Sequence, residues 1–203
     1  ITGRLRRVLK PFVDLLAGIP SVIYGLWGLF YIVPFVRENL APLVGASSSG
    51  QSLLSAGFVL GIMISPIIIS VTDEVLQSIP DKYRNASLAL GSTKWQAIKT
   101  NLKKVALPGI IGAVILGFGR AIGETIAMQM ISGNVGSVPG SIFDPFATLT
   151  SLLNTTIGYS AANPKSVSAL AMAGFILLII VLAANIAGRL IVEKTTKRVD
   201  IQN

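Results

Sequence analysis

The stretch Val105 to Ile131, VALPGIIGAVILGFGRAIGETIAMQMI, has the length and apolarity of a membrane-spanning helix, yet it carries Arg120 and Glu124 in its interior. A charged side chain at the centre of a bilayer costs roughly 2.5–3.5 kcal/mol on insertion scales, so such residues face a protein interior or a wet pathway. On a continuous helix, positions i and i+4 share one face, and the two side chains can pair. Arg120 and Glu124 are therefore the first candidates for function.

Composition supports a membrane chain. Of 203 residues, 52% are hydrophobic and 13% charged, and the mean hydropathy is +0.71. Soluble domains carry about 25% charged residues. The absence of cysteine and histidine excludes disulfides, thiolate metal sites and His-based triads, and no cofactor is expected. The basic N-terminus leads into an apolar run without a small-residue cleavage site, so no signal peptide is expected. Because the chain starts at Ile1 rather than Met, further sequence upstream, a helix included, is expected.

Four spans are predicted, at about 12–36, 52–71, 105–131 and 167–192, each near the ~20 residues that cross a bilayer. Pro20 and Pro34 predict a kink or break in the first. Its Asp14 leaves open a broken or re-entrant element instead. The fold class is thus an all-α integral membrane bundle of kinked helices, a single domain over residues 1–203.

Charge orients it. Arg4, Arg6, Arg7 and Lys10 precede the first span; Lys82, Arg84, Lys94, Lys99, Lys103 and Lys104 lie between the second and third; Arg189, Lys194, Lys197 and Arg198 close the fourth. These are fourteen of the seventeen basic residues. The positive-inside rule places both termini and the 72–104 loop in the cytoplasm, and the 133–164 loop outside. The net charge of +8 is then a matter of orientation, and nucleic acid is not an expected partner. In the outer loop, Pro145–Ile157 has the makings of a short helix. The loop reads as a connector in preference to a lid or packing element.

The cytoplasmic loop reads as two short helices, Pro80–Leu90 and Ser92–Ile98, around Gly91, a residue suited to a helix C-terminus. Thr93 and Gln96 have capping-box spacing. Leu88, Leu90 and Trp95 are too apolar for a solvated loop; they could lie on the membrane, pack on the chain's own helices, or enter a groove on a partner. Asp73 and Glu74 are adjacent, so they do not share a helix face; a solvated helix end near basic residues fits them better than a catalytic pair.

Asn85, Ala86 and Ser87, followed by Gly91, resemble the EAA motif of permease subunits of ABC importers. Asn85 stands where that pattern has Glu. Lys103 and Lys104 stand where it has Leu-Pro, and a Leu-Pro follows at Leu107 and Pro108. The segments Leu16–Gly28, containing GIPSVIYG, and Gly119–Thr125, GRAIGET, followed by Ser132-Gly-Asn134, resemble the permeases of phosphate-specific ABC importers, the PstC-type subunit more closely than its PstA-type companion. The resemblance runs from about Lys10 to Arg189.

It implies a type I importer: a second permease subunit completes the pathway, ATP-binding subunits dock on the cytoplasmic loop, and an external binding protein delivers phosphate. The coupling helix would span Asp81 to Trp95, with Asn85, Ala86, Ser87, Leu88, Gly91 and Trp95 as the docking residues. No Gly-x-x-x-x-Gly-Lys-Ser/Thr is present, so ATP hydrolysis is expected in a partner. The candidate pathway residues are Arg120, Glu124, Thr125, Ser21 and Tyr24. Arg120 is expected to pair with Glu124 at rest and turn to phosphate as the pathway opens; the alternative is a helix-joining staple. Ser21 and Tyr24 either line the path or bond their own helix. Gly57-x-x-x-Gly61 and Gly119-x-x-x-Gly123 predict close helix approach. An importer of another oxyanion or solute, and a channel without an ATPase, are the alternative readings.

Overall fold

The computed structural model describes residues 3–97, 99, 103–160 and 164–200. Ile98, predicted to end the second loop helix, and residues 161–163 of the outer loop lie outside them. The elements are α1 (Gly3–Gly18), α2 (Ser21–Leu43), α3 (Leu53–Ser78), α4 (Asp81–Ala89), α5 (Lys94–Ala97), α6 (Lys103–Ile122), α7 (Ile126–Ile131), α8 (Leu149–Ser160) and α9 (Pro164–Asp200). Among the described residues three helices, α3, α6 and α9, are long and apolar enough to cross a membrane, and the bent pair α1–α2 makes a fourth if taken as one span.

The first predicted span is not straight: α1 and α2 meet at 93°. The break falls at Ile19–Pro20, where proline removes an N–H and restricts the residue before it. Tyr24 holds the corner, its hydroxyl donating to the Leu16 carbonyl at 2.9 Å. Pro34 and Pro42 do not break α2. Each follows a π-helical turn, Gly28–Ile32 and Val36–Leu40, where the widened backbone relieves the clash between a proline ring and the carbonyl four residues back. On α1, Arg6 grips Asp73 of α3 (2.9 and 3.0 Å), Lys10 stands 3.8 Å away, and Ser70 donates to Asp14 at 3.0 Å. Asp73 is therefore an inter-helix anchor, more tightly held than a solvated helix end.

Helix α6 lies between α3 and α9, antiparallel to both. Gly109 and Gly117 face Val75 and Ile68 of α3, and Gly188 of α9 faces Ile115. Missing side chains let the backbones close in. The predicted close approach at Gly57 and Gly61 is not made within this chain, since both face open space. The main core joins α2, α3 and α7 through Tyr24, Val33, Val59, Met63, Met128 and Ile131. None of the most apolar stretch of α9 is buried within the chain. In water that face would be untenable; in a bilayer, lipid or a second subunit covers it.

The loop after α7, expected to be a connector, is a packed element. The carbonyls of Ile142 and Asp144 accept from Leu54 and Leu53 N–H, and Phe146 N–H donates to Ser132, so the loop satisfies the otherwise orphaned donors at the start of α3. Its helix begins at Leu149, four residues after the expected Pro145. Thr148 and Ser151 cap it reciprocally, each side-chain oxygen accepting the other's N–H at 3.0 and 3.1 Å.

Gly50 precedes α3 at φ +85, with a Cβ position that would collide with the Val33 carbonyl. Gly50→Ala is expected to destabilise the subunit by at least about 2 kcal/mol, while Gly57→Ala leaves it unchanged or slightly firmer; thermal unfolding in detergent reads the difference.

Candidate functional site

The predicted span 105–131 is two helices. α6 stops at Ile122; Gly123, Glu124 and Thr125 form a turn in which Glu124 N–H donates to Ala121 (3.3 Å), and α7 restarts at Ile126. Pairing at i,i+4 requires a continuous helix, and here the helix ends between the partners. Among the described residues Arg120 and Glu124 form no ion pair. Glu124, 8% exposed, turns instead toward α7, where Oε1 accepts from Ala127 N–H at 3.2 Å. A carboxylate there caps the helix and complements its positive end. The Glu124 carbonyl is held by the Thr150 hydroxyl of α8 at 2.9 Å. The expected resting pair and the alternative staple are thus both replaced by a cap.

Arg120 occupies the last turn of α6, where the free carbonyls of a helix end favour a cation. It is nonetheless deep. The cleft it lines, about 400 Å³, is completed by Ile67 of α3, Ile115, Leu116 and Gly119 of α6, and Asn185 of α9. Ile67 and Asn185 each lie well inside their own span. Arg120 is exposed in the isolated chain, opening outward from the seam between three spans.

The remaining pathway candidates lie elsewhere. Tyr24 is 6% exposed in the core and committed to Leu16. Ser21 opens α2 behind Pro20. Thr125 donates to the Gly123 carbonyl at 3.3 Å and lines a separate cleft of about 300 Å³ with Thr150 and Asn154. None of the three lines the Arg120 cleft. Asn185, which no motif marks, does.

The elbow between α4 and α5 has the predicted form. Gly91 turns at φ +81 between α4 and α5. The Thr93–Gln96 capping box is made in both directions: Thr93 N–H to Gln96 at 2.9 Å and Gln96 N–H to Thr93 at 3.3 Å. Ser87 is buried, Leu88 half-buried, and Asn85 and Ala86 exposed. Leu90 and Trp95 stand out from the surface, 87% and 71% exposed, so the chain's own helices do not absorb them.

Comparison with known proteins places these features in context. Residues 1–197 match the family model described as binding-protein-dependent transport system inner membrane component. A probable ABC transporter permease protein, YqgH of Bacillus subtilis, is 39% identical over 86% of this chain and 55% of its own length. The phosphate transport system permease protein PstC of Xylella fastidiosa is 36% identical over 96% of this chain and 64% of its own. The probable phosphate transport system permease protein PstC of Methanocaldococcus jannaschii is 36% identical over 91% and 62%. The chain therefore spans roughly three-fifths of the length of these relatives. Among solved structures, the MetNI methionine ABC transporter in an inward-facing conformation superposes with a TM-score of 0.66 at 24% identity, over 96% of this chain and 77% of that one, which shows the shared fold.

The cap makes a graded expectation. Glu124→Ala removes the acceptor for Ala127 and costs about 1 kcal/mol; Glu124→Gln keeps an acceptor oxygen and costs less. Melting temperatures of the purified subunit in detergent should fall in the order wild type, Gln, Ala.

Proposed function

The chain belongs to the family of inner membrane components of binding-protein-dependent transport systems, a multi-pass membrane transport component, and on that premise we propose that it is a permease subunit of an ATP-driven importer of inorganic phosphate. The observation that carries this reading is Arg120: a cation at depth, without an ion-pair partner among the described residues, on a cleft shared by three spans. A guanidinium stays charged and offers oxyanions two parallel donors. The relatives named for phosphate transport give the substrate.

The mechanism differs from partner exchange. With Glu124 engaged as a cap, the anion itself is the counter-ion of Arg120. Arg120 sits in the last turn of α6, and the negative end of that helix offsets part of its charge, which keeps the attraction shallow enough for release; conduction needs binding that permits exit. Exposure of Arg120 on the open side of the chain supports a second permease subunit there, because a guanidinium facing hydrocarbon is costly. An external phosphate-binding protein delivers the anion. Both termini are cytoplasmic, the orientation favoured by the basic loops, and the plasma membrane is the site of action.

ATP is hydrolysed in partner subunits that dock on α4, Gly91 and α5. Two large exposed side chains on a rigid, capped elbow suit a groove on such a partner better than solvent. Asn85, Ala86, Ser87 and Leu88 lie on α4, which leads through Leu90 and Gly91 to Trp95 on α5.

Two experiments test this. Arg120→Gln, in a complex shown to assemble, should lower phosphate uptake by reconstituted vesicles at least tenfold; wild-type uptake would overturn the role of Arg120. Trp95→Ala should weaken co-purification of the ATP-binding subunits and lower transport-coupled ATP hydrolysis several-fold, while the subunit itself melts normally.

A further inference from the structure

Asn185 is an amide in the middle of the most apolar helix of the chain, six turns into α9. Its Nδ2 donates to the Val181 carbonyl one turn back, at 2.8 Å. That bond fixes the orientation of the amide, because a carbonyl accepts only from the nitrogen. The oxygen, Oδ1, is consequently turned toward α6: a methyl group placed on Gly119 would sit 3.8 Å from it. Gly119 is the residue immediately before Arg120, and both share the cleft with Asn185. The site presents a charged donor and, beside it, an acceptor with no hydrogen to give.

We propose that Asn185 is a specificity-determining residue of the anion path, selecting an oxyanion that still carries a proton. The proposal rests on the phosphate-import reading and deepens it. Inorganic phosphate at neutral pH retains at least one P–O–H. It can offer its charged oxygens to Arg120 and its hydroxyl to Oδ1 of Asn185. Sulfate at the same pH has acceptor oxygens only, and one of them would face Oδ1 without a hydrogen between. A site built to receive a substrate hydroxyl rejects an analogue that lacks it, because its own polar atom is left unpaired. The anion need not reach beyond the cleft to be sorted. A neighbouring cleft of about 620 Å³ shares Ile115, Leu116 and Asn185 and continues past Arg189 toward Thr196, so Asn185 stands where the route from Arg120 turns to the cytoplasmic end of α9.

The test uses the whole transporter in vesicles, with binding protein outside and the ATP-binding side within. Uptake of radiolabelled phosphate is measured while unlabelled phosphate or sulfate is loaded on the ATP-binding side, where the external binding protein cannot filter it. In the wild type, loaded phosphate should inhibit more strongly than sulfate. Asn185→Leu should slow uptake about five- to tenfold and shrink the phosphate-over-sulfate ratio at least fivefold. Asn185→Thr should keep the ratio, since its hydroxyl can donate to Val181 and leave a lone pair toward Gly119. If Leu blocks assembly, Asn185→Ala carries the same readout. A ratio unchanged in Leu or Ala overturns the proposal even if the rate falls, because a packing role alters rate without selectivity. Absence of phosphate uptake by the wild type would instead remove the import reading and this one with it.

Discussion

A three-residue interruption after Ile122 keeps two opposite charges apart, and most of the functional geometry follows from it. Had the helix continued, Glu124 would lie one turn beyond Arg120 on the same face and neutralise it. The turn at Gly123–Thr125 redirects the carboxylate into the first N–H groups of α7. It leaves Arg120 in the last turn of α6 without an ion-pair partner among the described residues. The break is held from outside as well, since Thr150 of α8 bonds the Glu124 carbonyl and Asn154 of α8 donates to the Gln129 side chain of α7 at 2.6 Å. Helix α8 thereby touches the segment that holds Glu124 away from Arg120.

The same economy appears in how α6 is placed. It is the central span, and its glycines face α3 while a glycine of α9 faces it in return. Close backbones leave little room for side chains in the seams, so the cleft forms at the rim where Arg120 and Asn185 emerge. That rim and the apolar face of α9 are open in the single chain. Hydrocarbon suits the α9 face. It does not suit a guanidinium, for which insertion costs of about 2.5–3.5 kcal/mol are a lower range. The two exposed surfaces therefore call for different covers: lipid for one, polar-lined protein or water for the other.

Local signals in the chain were legible where one principle acted alone. Gly91 and the Thr93–Gln96 box specify the elbow without help from distant residues, and the elbow forms as their spacing predicts. Pro20 and Pro34 look equivalent in sequence, yet one bends the chain by 93° and the other is absorbed by a π-helical turn. The choice depends on whether tertiary neighbours hold the freed groups, as Tyr24 does at Leu16. Pro145 is the obvious opener for α8, whereas the cap that acts is Thr148, three residues on. Helical periodicity pairs Arg120 with Glu124, and no strong breaker but Gly123 warns that periodicity lapses there. Nothing in the sequence marks Asn185, because a window averaged over many apolar neighbours hides one amide.

An arginine with no ion-pair partner among the described residues, beside a neutral amide, is a different device from an ion pair, and the difference bears on the proposed transport of an anion. An ion pair in a low-dielectric setting must be broken before an anion can bind, and breaking one partner away from a buried pair costs several kcal/mol. A guanidinium that has no ion-pair partner among the described residues needs no such step. Its field attracts any oxyanion, so it supplies depth of attraction but little choice among anions. Choice then has to come from a group that is neutral, directional and fixed. The amide of Asn185, with its nitrogen tied to Val181, meets all three conditions, and its oxygen adds no net charge that would deepen or cancel the well made by Arg120. In the proposed importer, separating attraction from discrimination in this way would let affinity stay low enough for release while selectivity is retained.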